Sequence, residues 1–227
     1  GKGFQLFGYA GKRIGFQLSF MDINEQGGFD SLRVDNELPG FVRKETTNPK
    51  ILNYSQMNAT LSYRLNKGMI TVGQDQHVMG YGKYGNIVLS DKAPAYPFYA
   101  LNYQPSAWLK FNYMHAWLES GVLDTRASYD LNNKVYGGVR QQYLPKFFAT
   151  HSVEIAPMKG LKLNLGESIM YSENLELAYM LPVTFFKAFD NQKYGDNILA
   201  GSNGQFFFGF SSRNQLPNTH LYGQWMI

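Results

Sequence analysis

Four histidines and no cysteine bound the chemistry open to this 227-residue chain. His77, His115, His151 and His220 lie far apart and never in a His-x-x-x-His spacing, so they do not read as a metal-ligand set. Without thiols there is neither a disulfide scaffold nor a cysteine nucleophile. The neighbours His151 and Ser152 fail as base and nucleophile, because adjacent residues of a strand point to opposite faces. Asp75 and His77, two residues apart, do share a face, as acid–base work would need; a hydrogen-bonded pair lining a lumen at a strand end is the plainer reading. What remains is recognition chemistry. Tyr81, Tyr84 and Tyr96 offer flat apolar rings that stack on sugar C–H surfaces, while Asn86, Asp91 and Lys92 suit hydroxyls or acidic groups. The same tyrosines also suit the interfacial girdle of a membrane barrel, with the nearby glycines letting a loop fold over the lumen. Gly80-Tyr81-Gly82 is not a phosphate loop, since the residues after it read as extended rather than helical. Neither catalysis, nor a cofactor, nor a metal is expected.

The elements that must position these residues are strands. About ten segments of alternating polarity follow one another, joined in turn by tight turns and by loops of about 20 to 30 residues. Ser55 to Leu65 is the clearest: Met57, Ala59, Leu61, Tyr63 and Leu65 fall on one face, and Gln56, Asn58, Thr60, Ser62 and Arg64 on the other. Five hairpins are predicted. Phe4 to Asn24 turns at Gly11-Lys12-Arg13; the segment ending at Leu65 pairs with Met69 to His77. Tyr99 to Tyr103 pairs with Leu109 to Trp117 across Gln104 to Ala107, and Phe147 to Ile155 pairs with Leu161 to Tyr171. Gln205 to Ser212 pairs with Thr219 to Met226. One helix is expected, over about Pro182 to Asp190, as a loop cap or plug. Arg64, Asp75, Lys110 and Glu154 then form a charged ladder facing a lumen. His151 and Glu167 interrupt the apolar stripe of their hairpin, which suits an interface position, a bulge, or a place under a neighbouring protein.

Composition agrees with an all-β, antiparallel transmembrane barrel with long external loops. Aromatics are abundant while mean hydropathy is negative, and no apolar run reaches the roughly 18 residues that a spanning helix needs. Lys and Arg are scattered, which argues against nucleic acid, and the net charge of +4 leans only weakly towards anionic partners. Residues 1–227 read as one barrel unit, and as a portion of a larger barrel, since strand patterning reaches almost to both ends. No secretion signal opens the chain, which suits a mature or incomplete N-terminus.

Two stretches carry a family likeness. Val72-Gly73-Gln74-Asp75-Gln76-His77, followed by Gly80-Tyr81-Gly82 and by Leu89-Ser90-Asp91-Lys92-Ala93-Pro94, resembles the Wzi capsule-assembly family of outer-membrane proteins. Glu176-Leu177-Ala178-Tyr179-Met180-Leu181-Pro182, with Gly195-Asp196-Asn197 after it, is similar to a second stretch of that family in the same order. The resemblance implies a large barrel in the cell outer membrane, surrounded by outer-membrane lipids, whose external loops bind surface polysaccharide as a lectin does. Barrels of gliding-motility and type IX secretion systems share the architecture. They imply instead a structural protein docked to other outer-membrane proteins, with His151 and Glu167 as the contact patch. A passive pore is a third possibility.

Overall fold

The computed structural model describes residues 1–26, 51–83, 85–90, 94–131, 138–194 and 202–227. Ten long strands follow the alternating segments: β1 (Lys2–Ala10), β2 (Ile14–Gln26), β3 (Ile51–Leu65), β4 (Gly68–Asp75), β5 (Tyr96–Ser106) and β6 (Leu109–Leu123) come first. Two short strands, β7 (Tyr129–Asp130) and β8 (Val139–Arg140), pair only with each other. Then come β9 (Tyr143–Met158), β10 (Leu161–Ser172), β11 (Ser202–Arg213) and β12 (His220–Met226). The long strands make one antiparallel sheet in the order β1-β2-β3-β4-β5-β6-β9-β10-β11-β12, an up-and-down meander whose edges are β1 and β12. Among the described residues no ladder joins those edges, so the sheet is open. No described helix is long and apolar enough to cross a membrane.

Register carries the two-residue period across the whole sheet. One row runs Ile14–Tyr63–Ile70–Leu101–Tyr113–His151–Glu167–Phe206, and the next runs Phe16–Leu61–Val72–Tyr99–His115–Ala149–Ile169–Gly204. These rows form the convex, mainly apolar face, on which Leu61, Val72 and Leu165 stay exposed. The intervening rows, such as Ser62–Thr71–Ala100–Met114–Thr150–Ser168, line the concave face. Sliding any pair by one residue would exchange the faces, so the pattern fixes the register. The concave face is mixed: Phe98, Ala100, Met114, Ala116 and Phe148 form a buried apolar cluster on it, and edge strand β1 exposes Phe7 and Tyr9 on the same side.

Two hairpin details differ from expectation. The β5–β6 turn is only Ala107-Trp108, because β5 continues through Pro105 and Ser106 by means of a register shift. The helix, α1 (Phe186–Tyr194), begins four residues after Pro182 and follows a 3-10 turn at Leu177–Met180. Its start is fixed from outside: the Glu167 carboxylate accepts hydrogen bonds from the Phe186 amide (2.7 Å) and the Lys187 amide (3.3 Å). Those are two of the amides that a helix start leaves without partners. This segment lies on the convex face. It buries Tyr179 and Phe186 against Tyr113, Phe147, Ala149, Ile169 and Tyr171, and burying an aromatic of this size is worth about 1.5–3 kcal/mol.

Candidate functional site

The concave face holds the site, and the segment after β4 forms its roof. Asp75 ends β4 with its carboxylate turned to the Gln76 amide (2.8 Å), which redirects the chain. His77 then lies edge-on to Phe98, with ring centroids 4.0 Å apart. Met79 and Leu89 close the base of the arch as an isolated bridge, Met79 N–H donating to the Leu89 carbonyl at 2.9 Å. Gly80 at φ 137° turns the chain over the sheet, and a Cβ there would fall 1.5 Å from Gln224 Nε2. Only glycine fits that combination of φ and close approach.

One register row, Lys110–Glu154–Asn164–Gly209–Gln224, is the floor on which the arch rests. The Tyr81 hydroxyl donates to Glu154 Oε2 at 2.7 Å, while Lys162 Nζ holds Glu154 Oε1 at 3.0 Å. The Tyr81 ring passes over Gly209, where a Cβ would already be 3.4 Å away. At the far end, Gln224 Nε2 donates to Asn86 Oδ1 (2.9 Å), and Gln224 Oε1 accepts from the Ile87 amide (2.9 Å). Asn86 Oδ1 also takes the Gly82 amide at 2.8 Å. Burial and the bond to Glu154 push the Tyr81 phenol well above its ordinary value, so it stays a neutral donor. Burial lowers the His77 pKa, and the negative charge of Asp75 opposes that shift.

Beneath the arch lies a cavity of about 430 Å³, walled by Thr60, Ser62, Thr71, Asn112, Ser152 and Asn164 together with His77, Tyr81, Lys110 and Glu154. His77 Nε2 and Asn164 Oδ1 are buried there without a hydrogen-bond partner. Buried polar atoms are nearly always paired, so two of them on one cavity mark a place that suits a hydrogen-bonding ligand. The chemistry on offer is hydrogen bonding together with apolar contact, since Met69, Val78, Met79, Leu89, Phe98 and Met114 line the same cavity, and one cation, Lys110, stands beside the donors and acceptors.

Several sequence-predicted residues take other places. Tyr81 and Asn86 are structural ties of the arch, and Tyr96 is packed in the core with Phe98 and Phe148 rather than presented to solvent. Tyr84, Asp91 and Lys92 lie outside the described residues. Of the charged ladder, Asp75, Lys110 and Glu154 do line the cavity, whereas Arg64 sits in a separate groove among the tight turns with Lys67 and Gln104. His151 and Glu167 are on the opposite, convex face, 3.1 Å apart, under the chain's own α1, where the His151 ring lies 4.6 Å from that of Phe186. Ser152 and His151 do face apart, as strand geometry requires.

Sequence reasoning missed Gln224, Asn164 and Lys162, whose roles depend on pairing between distant strands. It also missed three convex-face groups that hold the 3-10 turn and its surroundings. The Tyr99 hydroxyl donates to the Met180 carbonyl (2.6 Å), the Tyr113 hydroxyl to the Tyr179 carbonyl (2.8 Å), and His115, fully buried, shares a 2.8 Å hydrogen bond with Tyr171. Polar tips recurring on an apolar stripe were the available signal. Compared with family models, with curated proteins and with solved structures, the chain matches none.

Proposed function

We propose that this chain is the wall of an outer-membrane β-barrel that binds cell-surface polysaccharide on its concave side and helps to anchor or assemble a capsule-like layer. One observation carries the reading: a single sheet has a mainly apolar outer face and, inside its curve, a roofed cavity of mixed polar and apolar lining with unpaired buried atoms at His77 and Asn164. An apolar band outside and polar side chains inside is the arrangement that lipid on one side and water on the other call for. Sugars bring dense hydroxyl groups, which suit Asn112, Ser152 and Asn164, and an acidic sugar would also meet Lys110. Binding needs no covalent step. The likeness to the Wzi family supports the same ligand class.

The test is binding of purified capsular polysaccharide to the folded, detergent-solubilised chain, with Lys110→Ala/Asn112→Ala beside it. Wild type binds and the double variant loses binding while keeping its β-sheet spectrum; a folded wild type that binds no polysaccharide overturns the proposal. The second reading, a barrel docked in a secretion or gliding-motility complex, is favoured by the covering of the convex face. There the 3-10 turn and the segment after it turn Leu177, Leu181 and Val183 outward, with Val183 87% exposed. Site-specific crosslinking from Val183 that captures no other outer-membrane protein would rule that reading out.

A further inference from the structure

The tight-turn end of the sheet is unbalanced in charge. Lys12, Arg13, Arg64, Lys67, Lys159 and Arg213 are exposed there, and Glu154, which shares a pocket with the Ala107-Trp108 turn, is already held by Lys162 and Tyr81. Two of these cations do more than decorate the rim. Between the first and second turns a groove of about 560 Å³ opens, lined by Arg13, Tyr63, Leu65, Asn66, Lys67 and Tyr103. Beside it, in the register row Leu65–Gly68–Tyr103, the backbones pack closely: a Cβ on Gly68 would come within 2.4 Å of the Asn102 carbonyl oxygen.

The groove has the two chemistries of an amphiphile in the right order. Arg13 Nη1 donates to the Tyr63 hydroxyl at 3.3 Å, and Lys67, which lines this groove and its neighbour, donates from Nζ to the Pro105 carbonyl at 3.0 Å. Both bonds go to neutral oxygens, so among the described residues neither positive charge has a counter-charge and most of its N–H donors stay unspent. Its walls are the convex-face residues Tyr63, Leu65 and Tyr103, and the apolar surface continues away from the rim through Ile70, Leu61 and Val72, all exposed. Tyrosines beside an apolar band, with cations just beyond them, match a bilayer's headgroup level.

We propose that this groove seats the phosphate headgroup of an anionic phospholipid, clamped by Arg13 and Lys67, with the acyl chains lying along Ile70, Leu61 and Val72. The proposal rests on the membrane-barrel reading above, and its test separates the two. The full chain is folded into vesicles of pure phosphatidylcholine and into vesicles with phosphatidylglycerol at one lipid in five, and the lipids retained after detergent extraction are counted by native mass spectrometry. With each of the two groove cations worth about a fivefold gain on an anionic headgroup, wild type is expected to retain phosphatidylglycerol about 30-fold over phosphatidylcholine. Arg13→Gln/Lys67→Gln loses that preference, and Lys159→Gln, on the same rim but away from the groove, keeps it. A preference that survives in Arg13→Gln/Lys67→Gln overturns the groove in favour of the diffuse charge of the rim. Insertion into both vesicles with no preference overturns the groove and leaves the barrel reading standing. A chain that folds but enters neither overturns both.

Discussion

Glu154 and Glu167 sit on neighbouring strands and each ties a distant segment down on the sheet, but they do so on opposite faces. On the concave side Glu154 takes one tyrosine hydroxyl and one lysine, and its side chain keeps 20% of its surface exposed. On the convex side Glu167 takes two helix amides and His151 and keeps 4%. The difference follows from what surrounds each. A carboxylate facing a polar cavity can lose a partner and find another, whereas one sealed beneath aromatic rings must have all its partners supplied by the chain. The arch is therefore the adjustable tie, and the helix the fixed one.

The comparison breaks first at Glu167. Glu167→Ala leaves two helix amides and His151 without their acceptor and is expected to cost about 3 kcal/mol, read as a fall in thermal stability together with lost hydrogen-exchange protection across Phe186–Tyr194. Protection in the arch, residues 79–89, should be unchanged; equal loss in both would show that the two ties are not independent. Next comes Gly80→Ala, which puts a methyl group on Gln224 in a backbone conformation that only glycine holds easily. It should cost about 1–3 kcal/mol and unfasten the arch while α1 stays protected. Tyr81→Phe is milder, about 1 kcal/mol, because it removes the bond to Glu154 and keeps the ring over Gly209.

The smallest expected effect is on pH. His77 has a lower pKa in the folded arch than when released, so the released state binds the proton more readily and stability rises with pH. The contribution is complete above the ordinary histidine value of about 6.5 and is lost as pH falls through it towards the lower folded value. Hydrogen exchange in residues 79–89 should therefore quicken below about pH 6.5, and His77→Phe should flatten that dependence.

The strands were legible because a two-residue period is a local signal. Ser55 to Leu65 shows both faces in a single run, and the hairpins follow from Gly11, the Asn66–Gly68 turn and Gly160. The ties were not, because they are set by residues far apart in the chain. Asn86 and Gln224 are 138 positions apart, and nothing near either announces the other. Tyr81 looked free for a ligand since only folding brings Glu154 beneath it. His151 and Glu167 were visible as violations of the stripe, and the violation did mark a covered patch; that its cover is the chain's own α1 depends on a helix start fixed from another strand, which Pro182 could not reveal.

The arch fastens to β9 through Tyr81 and to β12 through Gln224, three strand spacings away, an arc of about 14 Å. A segment fastened at both ends across the inside of a bend works as a bowstring does. The Tyr81 and Gln224 fastenings thus tie β9 to β12, four of the ten long strands, across their concave side, independently of the ladder bonds between them. In this wall a loop joins the ladders in linking strands that are not neighbours.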